Sequence, residues 1–150
     1  MGFSPLDAVV SVAVLLPSLL LLPSPPPDLP SPPLPTALSL AERASQTLCL
    51  TVPAVTVPGR VSWFWAVPVA LVPAAYYGLW ARYLTGGRAS ADLYRRLWGL
   101  PVPMAVTPVL AFLSVAAWLC NPWIAGAAVV LAAGHVPASA MTVRTLAAQP

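Results

Sequence analysis

The side chain in this sequence best equipped for chemistry is its single histidine, His135, in the stretch LAAGHVPASAM at 131–141. An imidazole can hold a ligand or relay a proton. Ser139 and Thr142 follow it at four and seven residues, on one face of a helix. Thr107, Tyr76 and Tyr77 fall at a similar depth in neighbouring apolar runs. A buried polar group in hydrocarbon needs a partner, so these groups are expected to face one another. The candidate ligand-binding set is His135, Ser139, Thr107, Tyr76 and Tyr77. The blander expectation is an interhelical tie from His135 to Thr107 or Tyr76.

The rest of the inventory argues against catalysis. There is one histidine, and the four carboxylates are Asp7, Asp28, Glu42 and Asp92. None falls deep in the core apolar runs, so no metal set and no catalytic residue is assigned. No glycine-rich phosphate loop or nucleophile elbow is present, and no cofactor is implied. Cys49 and Cys120 belong to no C-x-x-C pair. They are a candidate disulfide, with two free thiols as the alternative.

The elements that must position these residues are set by composition. The chain has 150 residues, 59% hydrophobic and 7% charged, with 20 prolines. Soluble domains carry about 25% charged residues. So few charges cannot cover a water-facing surface, and the expected solvent is a bilayer. All seven basic residues are arginine. With the excess of Ala, Leu, Pro and Val, this is the bias of a GC-rich bacterial gene. No basic stripe emerges, so nucleic acid is not an expected partner.

Four apolar runs are candidate spans, at 6–22, 61–84, 100–120 and 122–141. The first makes about 26 Å of helix, short of a roughly 30 Å hydrocarbon core, and Asp7 and Pro17 weaken it. After it, 23–35 holds eight prolines in 13 residues and reads as an extended spacer. Residues 36–60 carry a short helical pattern around Glu42 and Arg43 that fits an interfacial helix. A cleaved signal peptide ending at Ala41 competes for the N-terminal run, although MGFSPLD has no positive charge. The chain therefore divides into 1–60, an apolar segment plus proline-rich linker, and 61–150, a three-helix core. Prolines inside the runs, Pro108 and Pro137 among them, free carbonyls that need other donors.

Arginine placement sets the expected orientation. Arg82, Arg88, Arg95 and Arg96 flank the loop between the second and third of the four runs, and Arg144 follows the last. The positive-inside rule puts that loop and the C-terminus in the cytoplasm. Four spans then put the N-terminus inside too, leaving Arg43 and Arg60 on the unfavoured side. Trp63, Phe64 and Trp65 should mark the outer interface, with Trp80, Tyr83 and Trp98 on the inner one. In the loop, Leu93, Tyr94, Leu97 and Trp98 make one face of a short helix that Ser90 can cap. Arg88, Arg95 and Arg96 off that face are candidate contacts for anionic headgroups of the inner leaflet.

The expected protein is an all-α integral membrane protein, with three to four transmembrane helices in a small bundle and a proline-rich N-terminal extracytoplasmic loop. It is expected to be multi-pass in a bacterial plasma membrane. The first functional expectation is a structural or accessory subunit, meeting a membrane protein partner or further copies of itself through the small-residue face of Gly126, Gly134 and Ala138. The alternative is a small transporter or ligand-binding bundle with a polar site at the His135 level.

Overall fold

The computed structural model describes residues 2–21, 23, 25–27, 35–95, 97, 99–100 and 102–148. The middle of the proline tract, Trp98 and Arg96 lie outside these residues. The described residues are helical, without a β-strand. In order they form α1 (Pro5–Leu19), α2 (Thr36–Val55), α3 (Ala66–Thr85), the single turn α4 (Ser90–Leu93), α5 (Pro103–Trp118) and α6 (Pro122–Ala147). A 3₁₀ turn, Trp63–Trp65, leads into α3. With that turn, α3 spans Trp63–Thr85, and it and α6 are long and apolar enough to cross a membrane.

Local chemistry fixes the helix starts. The Ser4 hydroxyl accepts from the Asp7 backbone N–H at 3.3 Å, and Pro5 opens α1, where its missing N–H costs nothing. Asn121 does the same for α6, accepting from the Trp123 N–H at 3.1 Å ahead of Pro122. The α4 turn begins at Ser90 itself, with Ala89 in the capping position, so Ser90 is not the expected cap.

Hydrogen bonds between helix ends show how the chain runs. Ser4 N–H donates to Ala54 O, joining the start of α1 to the end of α2. Gly59 and Ser62 N–H donate to Leu119 and Trp118 carbonyls at 2.8 and 2.7 Å, joining the start of α3 to the end of α5. Asn121 Nδ2 donates to Thr56 Oγ1 at 2.9 Å, adding the α5–α6 turn to the same end. There is no room for a larger residue at Gly59, where a Cβ would lie 2.8 Å from Cys120 O. The five long helices therefore alternate in direction. The N-terminus sits beside the α5–α6 turn, and the 86–102 loop and the end of α6 sit at the other end.

That arrangement departs from the four-span expectation. Residues 36–55 are a full helix that returns along the bundle and makes its largest contact with α6. The N-terminus is consequently at the end opposite the arginine-bearing loop.

The core falls into two clusters. The larger joins Val109, Phe112 and Val115 of α5, and Leu119 just after it, to Ile124, Ala127, Ala128 and Leu131 of α6, with Val14 and Cys49. The smaller, nearer the loop, gathers Tyr76, Leu79, Trp80 and Tyr83 of α3 with Leu93 and Met104. Trp80 and Tyr83 are thus core residues, stacked edge to face at 5.6 Å, and not the interfacial aromatics expected. Trp63, Phe64 and Trp123 are exposed, as interfacial rings would be.

A proline in α1 explains one long-range tie. Pro17 has no N–H, so the Ala13 carbonyl loses its intrahelical donor. The Tyr77 hydroxyl of α3 supplies it at 2.6 Å. One residue earlier, Tyr76 shares a 2.8 Å hydrogen bond with Ser18. Tyr77→Phe should cost about 1 kcal/mol in thermal unfolding of the solubilised protein. In a Pro17→Ala background residue 17 regains its N–H, and the same change should then cost almost nothing. Equal costs in both backgrounds would refute the role given to Tyr77.

Candidate functional site

His135 does have a polar partner, and it is neither Thr107 nor Tyr76. Its Nδ1 lies 2.9 Å from Glu42 Oε1, and the two side chains are 26% and 24% exposed. Glu42 comes from α2, in the segment whose sequence pattern fits a short interfacial helix rather than a member of the bundle. The pair is possible because α2 and α6 touch beside it. A Cβ at Gly134 would lie 3.0 Å from the carbonyl carbon and oxygen of Ala41 and from Glu42 N. Only a glycine there lets the two backbones come this close, so the helix contact and the pair are one feature.

The pair lines a cavity of about 460 Å³ in the half of the bundle nearer the loop. Glu42, Gln46 and Leu50 of α2 face His135, Ser139 and Thr142 of α6 across it. Leu15 and Ser18 of α1, Tyr76 and Trp80 of α3, Tyr94 of the loop and Pro108 of α5 close the other sides. The Tyr94 hydroxyl is held protonated well past its ordinary range. Burial is the main cause, and the nearby Glu42 charge adds to it, while a hydrogen bond with Thr142 pulls the other way. Tyr94 is thus a neutral hydrogen-bonding group beside the Glu42–His135 pair.

Of the residues singled out from sequence, His135, Ser139 and Tyr76 meet in this cavity. Thr107 and Tyr77 are not among the residues lining it. Thr107 donates to the Pro103 carbonyl of its own helix at 2.6 Å, and Tyr77 is turned outward to α1. Arg88 and Arg95 are exposed at the loop end, Arg88 in the left-handed region at φ 63°. Arg96 lies outside the described residues. Cys49 and Cys120 are free thiols. Cys49 is buried between α2 and α6, with its sulfur 3.6 Å from Ala127 O, whereas Cys120 is exposed at the turn after α5. Among the described residues, no group of three or more His, Cys, Asp or Glu side chains is placed to hold a metal ion.

Three participants were missed: Glu42, Gln46 and Tyr94. A signal for the first two was present. Ser45, Cys49 and Pro53, the buried residues of α2, recur every four residues and continue the register of Ala41. That small-residue stripe marks a helix face built for close packing, and Glu42 lies beside it. Asp7 is a different surprise. It is fully buried, and neither of its carboxylate oxygens has a hydrogen-bond partner.

No family model, characterised protein or solved structure matches this chain. The site must therefore be interpreted from its own geometry.

Proposed function

We infer that this chain is a membrane-embedded helical bundle that binds a small ligand in the cavity between α2, α3 and α6. The carrying observation is the Glu42–His135 pair lining a cavity that is otherwise mostly apolar. An ionisable pair inside an apolar bundle is a functional-site candidate by default. The volume falls within the roughly 300–1,000 Å³ typical of small-molecule pockets.

The exterior supports the membrane part of this reading. Large apolar residues are exposed on each helix with an apolar run: Val9, Val12 and Leu16 on α1, Val67 and Leu71 on α3, Leu110 on α5 and Val129 on α6. Lipid covers such surface without cost, and water does not. The returning α2 also improves the charge pattern. It moves Arg43 to the half of the bundle holding Arg82, Arg88, Arg95 and Arg144. Arg60 is then the one arginine left at the other end among the described residues. By the positive-inside rule the loop end and the C-terminus are cytoplasmic, in a multi-pass topology of the plasma membrane. Arg88 and Arg95 then meet anionic headgroups of the inner leaflet.

Two buried serines test the cavity. Ser139 is 7% exposed and lines it; Ser114 is 5% exposed, on α5, and does not. Each is changed to cysteine in a Cys49→Ala, Cys120→Asn background. Asparagine at 120 tolerates the positive φ of 46° found there. A small charged methanethiosulfonate added from the cytoplasmic side should modify Ser139→Cys at least about tenfold faster than Ser114→Cys, the difference expected between a wetted wall and a packed core. Equal, slow reaction would favour the other reading, an accessory subunit whose surface packs against a partner. The feature behind that reading is an apolar groove of Leu48, Val52, Trp123 and Val130 alongside Gly126.

A further inference from the structure

We propose that the occupant of this cavity is a lipophilic cation, an ammonium or phosphonium centre carried in an apolar body, and that it binds in exchange for a proton held by the Glu42–His135 pair. This rests on the ligand-binding reading above and names its ligand class. The first argument is charge. Among the described residues, the cavity wall has one carboxylate, Glu42, one titratable base, His135, and no arginine. With the imidazole neutral, the pair carries one net negative charge in surroundings where a charge is poorly screened. An anionic ligand would meet that carboxylate, and among the described residues no guanidinium lines the wall to hold it: Arg88 and Arg95 are exposed at the loop end, and Arg82 is turned to the Asp92 carbonyl.

The second argument is the wall. Tyr76, Trp80 and Tyr94 line the cavity, with Tyr76 and Trp80 edge to face at 6.4 Å. Aromatic faces attract cations, most strongly where water is excluded. Leu15, Leu50, Leu131 and Pro108 complete an apolar lining for the body of the ligand. A small inorganic cation would leave those walls unused.

The proton follows from the geometry. When His135 is protonated, its Nδ1–H donates to Glu42 Oε1 and the pair is neutral. A cation that takes over the carboxylate then releases the imidazole proton to water. One positive charge enters, one leaves, and no bond other than N–H breaks. The other titratable groups facing the pair are Tyr94 from the loop and Tyr76 from α3; α1 and α5 bring none. Tyr94 keeps its proton, so it does not take part in the exchange.

Tetraphenylphosphonium is the probe, titrated calorimetrically into the full-length protein in lipid nanodiscs at a series of pH values from about pH 5 to about pH 8. The expected result is saturable binding at one site per chain that strengthens with pH, by up to about tenfold per unit where one proton is released per cation bound. Glu42→Gln, which keeps an acceptor for His135 and the side-chain length, should weaken binding at least about tenfold, the scale of one lost ion contact. His135→Gln should retain binding and lose the pH slope. Wild-type affinity in Glu42→Gln would overturn the proposal, as would equal affinity for uncharged triphenylphosphine oxide. Circular dichroism and gel filtration check that each variant is folded, and His135→Gln decides the matter if Glu42→Gln is not. If Ser139→Cys is readily modified and the cation still fails to bind, this inference falls and the cavity reading stands. If Ser139→Cys is inert, both fall.

Discussion

Gly134→Val should lower the thermal midpoint of the solubilised protein and separate α2 from α6, while Gly126→Val in the same helix should have little effect. The two glycines are eight residues apart on one face of α6, and from sequence they look equivalent. Their surroundings differ. A Cβ at Gly126 meets nothing within 4 Å, whereas one at Gly134 lies 3.0 Å from three backbone atoms of α2. Backbone in the middle of a helix cannot swing aside as a flexible side chain can. An alanine at 134 already requires the helices to part by a few tenths of an ångström, and valine adds two methyl groups. Overpacking of this kind costs about 1–3 kcal/mol. Valine's own helical penalty, below about 1 kcal/mol relative to alanine, is shared by both variants and cancels in the comparison. Because Ala41 and Glu42 are the residues displaced, the Gly134 variant should also weaken tetraphenylphosphonium binding. Equal midpoints for the two variants would show that α2 does not pack here.

The same contact shows what could be read from the sequence and what could not. The core-forming runs at 61–84, 100–120 and 122–141 are the helices Trp63–Thr85, Pro103–Trp118 and Pro122–Ala147. Long apolar stretches announce themselves because total hydropathy is enough to find them. The α2 helix escaped that test because it carries Glu42, Arg43, Ser45, Gln46 and Thr47 within six residues. Hydropathy adds up polarity without asking which way it faces. In α2 part of it faces inward: Ser45 is buried, donating to the Glu42 carbonyl at 2.7 Å, and Glu42 meets His135.

Depth along a helix was a better guide than rotation about it. Tyr76, Ser139 and His135 do line one cavity. Thr107 was placed by the same arithmetic, yet its hydroxyl is satisfied by the Pro103 carbonyl within its own turn. Threonine often resolves its needs in this way, by bonding back to the carbonyl four residues earlier. Ser11, Thr47, Thr51, Thr56, Thr85 and Thr142 do likewise. A serine or threonine in an apolar run is therefore weak evidence for an interhelical contact. A histidine or glutamate is stronger evidence, because neither makes that local bond as readily and each must find a partner elsewhere.

Glu42 and His135 should prove strongly coupled in stability. Glu42→Leu leaves an imidazole facing an apolar neighbour, and His135→Leu leaves a carboxylate in the same position. Each loses its partner's hydrogen bond and keeps the cost of holding a polar group out of water. Exposed ion pairs are worth about 0–1 kcal/mol, and breaking a buried one costs about 3–5 kcal/mol. Both side chains are about a quarter exposed, so a loss of about 1–3 kcal/mol for each single variant is expected. The double variant removes both polar groups and substitutes apolar side chains of similar volume. It should return to within about 1 kcal/mol of the wild type, because desolvation of the pair offsets most of its attraction. Denaturant unfolding of the four proteins measures the coupling, and additive losses would show that the 2.9 Å contact carries no energy. The double variant then separates scaffold from site. With the fold intact and the carboxylate gone, it should keep the α2–α6 packing at Gly134 and lose affinity for the organic cation. Loss of binding in a stable double variant assigns the pair to ligand recognition, since the helices no longer need it to stay together.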